Sequence, residues 1–156
     1  IGLLCNESRI VQEEGQFRID GDPTEGALIV SAMKAGFDPE EERKAYPQAG
    51  MIPFESDRGF MATLHKHNGG GVIFLKGAPE KVLDMCKDLP SGEALDRTKV
   101  EKTAERFAED GLRVLAMAYK EVGESTVEGK FSRDHLGHDR HGRLGGRVID
   151  LTGRPQ

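Results

Sequence analysis

Phe60 to Gly77 reads FMATLHKHNGGGVIFLKG, and the fold follows from how this stretch can be arranged. Phe60 to Lys66 carries strand formers, and Asn68-Gly69, with two further glycines, accepts the positive φ of a tight hairpin turn. Val72 to Leu75 is apolar throughout, so it returns as a strand central to a sheet. Upstream, Met51-Ile52-Pro53-Phe54 approaches as another strand, and Glu55 to Gly59 forms a polar turn into the hairpin. Downstream, Pro79 opens a helix with Val82, Leu83 and Cys86 on one face.

The flanks supply the rest. Gln16 to Asp20 (QFRID) alternates as a strand and is stopped by Gly21. A helix then starts with Asp22 as N-cap, Pro23 at its first position and Glu25 at its third, an aspartate version of the capping box. Ala27, Val30 and Met33 are expected to form its inward stripe, with Gly36 as the stop. The stretch 38–48 reads as a loop or a short exposed helix; Asp38, Glu40, Glu41 and Glu42 form a solvated face, lacking the ligand alternation and the glycine of a calcium loop. Asp96 to Asp110 is a longer amphipathic helix carrying Val100, Ala104 and Phe107, and Leu112 to Tyr119 reads as a buried strand after it.

Sheet and helix in mixed runs around a tight hairpin predict an α+β domain, an antiparallel sheet flanked by helices. Residues 1–120 are assigned to it. The glycine-rich segment 121–156 holds few apolar side chains and is expected to be loosely ordered, with Leu144 to Leu151 the only stretch able to add a returning strand.

Composition narrows the function. At 156 residues, with 37% hydrophobic and 31% charged, the chain suits one core. Its apolar runs fall far short of the ~20 residues that cross a bilayer. A net charge of -5 leaves no basic face for a nucleic-acid backbone, so an anionic ligand must be held by a few placed cations. Cys5 and Cys86 sit among apolar residues and read as buried thiols of a reducing compartment. The start at Ile1, without a charged leader, gives the expectation of a piece of a longer chain.

Several chemistries are absent from the sequence. Lys76 follows Phe74-Leu75 and precedes Gly-Ala, which is no Walker A loop; GxGxxG, GxSxG and the cysteine/histidine spacings of structural zinc do not occur. His135, His138 and His141 recur every third residue, but Gly137 and Gly142 break any helix that would align them on a metal. Polar residues beside the core strands remain. Lys76 ends an apolar strand, which sets an ammonium at the rim of a pocket, or lets it merely snorkel. Gly77 permits a ligand to approach the backbone. Phe54 precedes a polar turn, where a ring either offers its face to a base, worth ~1–3 kcal/mol, or packs in the core. Capping alone would explain Glu25, and Arg113 could pair with Glu109.

Leu4-Cys5-Asn6, Asp22-Pro23-Thr24-Glu25, Phe54-Glu55-Ser56-Asp57-Arg58, Lys76-Gly77-Ala78-Pro79-Glu80 and Gly111-Leu112-Arg113-Val114 occur in that order. Together they resemble the nucleotide-binding domain of P-type ATPases, over about Ile1 to Tyr119, and more closely the calcium and sodium/potassium pump branch than the heavy-metal branch with its His-Pro pair. The resemblance implies that Phe54 stacks on adenine, Lys76 lines the same cavity, Glu25 meets the adenine amino group and Arg113 reaches the phosphates, with Ser56, Arg58 and Gly77 in the same motifs. It implies ATP as ligand, magnesium only in the full-length enzyme, and the phosphorylation and actuator domains of a parent pump as partners. The acceptor aspartate, in an Asp-Lys-Thr-Gly-Thr sequence absent here, would lie on another domain. The chain is then expected to be a monomer on the cytoplasmic side of a membrane, to bind ATP weakly and to hydrolyse none. Gly59 stands where the family commonly has lysine, which should weaken phosphate attraction or pass it to Arg58. Two alternatives stay open: a non-catalytic interaction module with a degenerate nucleotide site, and the cap domain of a small phosphatase.

Overall fold

Asn68 (φ 50°) and Gly69 (φ 74°) close the central hairpin in the left-handed conformation that such a turn requires. The computed structural model describes residues 1–89 and 91–136. Along them run β1 (Arg9–Glu13), β2 (Gln16–Asp20), α1 (Pro23–Lys34), α2 (Pro39–Ala45), β3 (Gln48–Glu55), β4 (Phe60–His67), β5 (Gly70–Gly77), α3 (Pro79–Leu83), α4 (Arg97–Glu109), β6 (Ala116–Val122) and α5 (Glu124–Glu128), then a 3₁₀ turn at Arg133–His135. β4 and β5 pair from Phe60↔Gly77 to His67↔Gly70; β3 adds beside β4 and β6 beside β5, giving an antiparallel sheet in the order β3-β4-β5-β6. The expected α+β class holds, and among the described residues no helix is long and apolar enough to cross a membrane.

Both faces of the sheet are covered, which is why β4 and β5 are buried almost end to end. One face carries Ile52, Phe60, Ala62, Leu64, Ile73, Leu75, Ala116 and Ala118 against Val82 of α3 and Leu136. The other carries Met61, Val72 and Phe74 against Leu3, Leu4 and Cys5 of the N-terminal segment. Burial raises the Cys5 thiol to about 11, so it remains a neutral packing residue.

The edge strand β3 breaks this alternation. Ile52 pairs with Ala62, but the register shifts before Glu55 pairs with Phe60, so β3 carries one residue too many. Pro53, which has no N–H to give the ladder, lies inside the shift. Strict alternation would send Phe54 to the same face as Ile52; the bulge turns it the other way, and it is 51% exposed.

Four features depart from the sequence reading or extend it. The buried residues of α1 are Gly26, Leu28 and Ile29, while Ala27 and Met33 are exposed, so the expected Ala27–Val30–Met33 stripe is corrected. The inward set is Glu25, Leu28, Ile29 and Ala32, a true i, i+3, i+4, i+7 row whose first member is charged, and a hydrophobicity count passes over it. β6 begins at Ala116 and not at Leu112, because its partner β5 ends at Gly77, opposite Ala116, leaving 112–115 no strand to pair with. β1, not read from the sequence, pairs with β2 through a turn at Glu14 and Gly15. Past residue 120, β6 continues to Val122, α5 and the 3₁₀ turn follow, and Leu136 joins the core. The Leu144 to Leu151 strand, His138 and His141 lie outside the described residues.

Candidate functional site

The N-terminus of α1, the end of β5, the bulge of β3 and the coil before β6 converge on one cavity of about 200 Å³. Glu25, Phe54, Lys76, Gly77 and Arg113, five side-chain or backbone positions expected from sequence, line it together. Its volume is below the roughly 300–1,000 Å³ of sites that enclose a whole small ligand. It suits a flat ring, with the remainder of the molecule outside.

Each member is placed by its element. Lys76 is the last but one residue of β5, and its ammonium lies 2.7 Å from Glu25 Oε1; the two side chains are 7% and 15% exposed. Glu25 Oε2 accepts from the backbone N–H of Glu7 (3.1 Å) and of Ser8 (3.2 Å), and from Ser8 Oγ (3.0 Å). Burial pushes the Glu25 carboxyl upward, but the Lys76 ammonium and these donors outweigh it and hold the carboxyl below its usual range. It is therefore an ionised acceptor.

The capping explanation for Glu25 is half right. Asp22 Oδ1 accepts from the N–H groups of Thr24 (2.8 Å) and Glu25 (3.1 Å), as an N-cap should. These donors, the Glu25 N–H foremost, lower the Asp22 carboxyl, with a smaller contribution from Arg113. The Glu25 side chain turns instead to Lys76 and the 7–8 segment. Asn6 explains how that segment is held: its Nδ2 donates to Gly2 O and Glu25 O, each at 2.9 Å, and its Oδ1 accepts from Ser8 N.

Phe54 stands on the cavity wall with half its surface open, which is not a core position. Arg113 is exposed, and its guanidinium donates to Thr24 Oγ1 at 3.3 Å, a contact with α1 and not the Glu109 pair considered from sequence. Gly77 is required by packing: a Cβ there would meet Gly59 O at 2.4 Å and Phe60 Cβ at 2.6 Å. Arg58 does not line the cavity. It pairs with Glu55 at 2.6 Å, donates to Pro53 O at 3.0 Å and lies over the Phe60 ring, bracing the turn after β3. Ser56 is exposed within that turn and is not on the cavity wall either. Gly59 has φ +74°, so its place in the turn has a backbone reason.

The cavity also includes Thr24, from the same motif as Glu25, and Met61, which matches the methionine of the family's pattern beginning at Phe54, together with Glu7, Leu28 and Leu115, which the sequence did not single out. Leu28 falls outside the expected Ala27–Val30–Met33 stripe, and no local signal in the sequence tells a cavity floor from a core. A larger, mainly apolar cavity of about 400 Å³ lies between α4 and the coil before β6, and holds none of the expected residues. His135 Nδ1 engages Ser132, and among the described residues no group of three or more His, Cys, Asp or Glu is placed to hold a metal ion.

The chain is similar to known proteins over most of its length. Residues 1–141 match the family model described as P-type ATPase, cytoplasmic domain N. The chain is 43% identical over 125 residues to the cation-transporting ATPase pma1 of Synechocystis, covering 78% of the chain and 14% of that protein. It is 42% identical over 119 residues to the probable cation-transporting ATPase F of Mycobacterium tuberculosis, covering 74% and 13%. A calcium-transporting ATPase of Listeria monocytogenes is 37% identical over 135 residues, covering 82% and 15%. The chain thus spans a small part of the length of these relatives.

Proposed function

The chain belongs to the P-type ATPase cytoplasmic N-domain family, and from that premise we propose that it is the ATP-holding domain of a cation pump. The adenine ring stacks on Phe54, and its exocyclic amine donates to the ionised Glu25. Lys76 supplies positive charge at the closed end of the cavity, and Arg113 meets the phosphates outside it. The γ-phosphoryl group passes to an aspartate on another domain of the parent protein, and the isolated chain hydrolyses nothing. Magnesium, in this reading, arrives with the phosphates and belongs to the parent enzyme.

The observation that carries the proposal is the placing of an exposed aromatic ring and a buried ammonium on the walls of one base-sized cavity. A singly exposed phenylalanine needs no ligand to explain it, and Phe17 and Phe37 are at least as open; what distinguishes Phe54 is its place on the wall of a cavity that also holds Glu25 and Lys76. Affinity should be low. Lys76 already has Glu25 as partner, Gly59 supplies no cation, and Arg58 is engaged by Glu55, so Arg113 is the cation available to phosphate. A millimolar site corresponds to about -4 kcal/mol, which one stacking contact and two polar contacts provide after association costs. Weak holding suits a domain that must hand over a phosphoryl group and release the remainder.

Titration of the chain with ATP and GTP, followed by amide NMR, tests this. ATP should shift resonances around Phe54, Lys76 and Arg113 more than GTP does, and unchanged spectra at several millimolar nucleotide would refute the proposal.

A further inference from the structure

We propose that Ser8 is a positioning residue: by holding one oxygen of Glu25 it fixes which oxygen a purine can reach, and so sets the preference for adenine over guanine. This rests on the reading of the cavity as a purine site and adds to it the origin of its selectivity.

Ser8 is 1% exposed and lies outside every motif noted in the sequence. Its hydroxyl donates to Glu25 Oε2 at 3.0 Å and its N–H to the same oxygen at 3.2 Å, while the N–H of Glu7 makes a third bond at 3.1 Å. One oxygen thus takes three donors. The other, Oε1, turns to Lys76 alone. The last torsion of a glutamate is soft, so only such partners fix it. The backbone reinforces the arrangement: a Cβ at Gly21 would meet Ser8 Oγ at 2.3 Å, and Asn6 ties both Ser8 N and Glu25 O to the same segment.

The chemical consequence lies in what Oε1 can do. An ionised carboxylate is only an acceptor. Adenine presents an amino donor at the position where guanine presents a carbonyl acceptor. A carboxylate oxygen held in place with its charge intact accepts from the first and repels the second. A carboxyl group free to rotate, or to take up a proton, could donate to guanine and lose the distinction.

Binding of ATP and GTP to the chain and its Ser8→Ala, Glu25→Gln and doubly substituted variants tests this. Ser8→Ala should reduce the ATP-over-GTP affinity ratio about fivefold, the scale of one hydrogen bond to a charged group. In the Glu25→Gln background Ser8→Ala should change the ratio no further, because Ser8 acts through Glu25. Should Ser8→Ala not fold, Ser8→Cys, similar in shape with a weaker donor, should give an intermediate ratio. An unchanged ratio, equal weakening for both nucleotides, or the same loss of ratio in the Glu25→Gln background overturns the role of Ser8. An unsubstituted chain that binds neither nucleotide overturns the purine reading itself and this role with it.

Discussion

Lys76 Nζ and Glu25 Oε1 are 2.7 Å apart across 51 residues of sequence, joining the end of β5 to the first turn of α1. The pair is largely buried, so its loss is asymmetric: removing one partner leaves an uncompensated charge, whereas removing both leaves two apolar or neutral groups in contact.

Lys76→Met should accordingly destabilise the chain by about 3–5 kcal/mol, and adding Glu25→Gln should recover a substantial part. Urea midpoints of the two single variants and the double variant measure this. A Lys76→Met chain as stable as the parent would mean that water compensates the Glu25 carboxylate.

Acid should act through the same group. The Glu25 carboxyl lies below its ordinary value of 4.5 in the folded chain, so the folded state binds the proton less readily than the unfolded one. Its contribution is complete above that value and fades as pH falls through the lower folded one. The stability difference between the parent and Glu25→Gln should be constant near neutrality and shrink below pH 4.5. A difference that grows on acidification would reverse the assignment.

Phe54→Ala should leave stability within about 1 kcal/mol, since the ring is half exposed, yet remove the response to ATP. Thermal denaturation and NMR titration of one sample give both results. Loss of the fold would make Phe54 a packing residue after all.

Arg113→Ala should weaken ATP while leaving adenosine unchanged, because the guanidinium lies at the outer side of the cavity and touches α1 only through Thr24 Oγ1. A change of about threefold to tenfold is the scale of one charge-assisted contact. Equal effects on ATP and adenosine would put Arg113 beside the base.

Gly77→Ala should fail at folding and not at binding, since its Cβ has no room against Gly59 O and Phe60. A destabilisation of about 2 kcal/mol or more is expected for such overpacking. A stable Gly77→Ala chain with lost ATP binding would restore the view of Gly77 as a point of ligand approach.

What the sequence conveyed depended on range. The hairpin was legible because Asn68-Gly69 is a local conformational requirement, and β4 and β5 because burial on two faces leaves continuous apolar runs. The motif residues marked the cavity, yet they could not say that Arg58 braces its own turn or that Gly77 answers to Phe60. Those facts depend on contacts between segments. The inward row of α1 was misjudged for a chemical reason: its leading residue, Glu25, is charged and is buried only because Lys76 and Ser8 meet it there. Ser8 itself carried no signal, being one small polar residue near a strand.

The supernumerary residue in β3 changes the parity of the strand. Upstream of it, even-numbered positions such as Ile52 belong to the hydrophobic interior; downstream, the even-numbered Phe54 belongs to the cavity. Deleting Pro53 would leave Phe54 next to Ile52 and therefore on the opposite face, with Glu55 still across from Phe60, so a strand without the extra residue would keep the ring on the cavity wall. What the ring needs is the opposite parity to Ile52, and regular pleating with Pro53 retained is the change that would take it away.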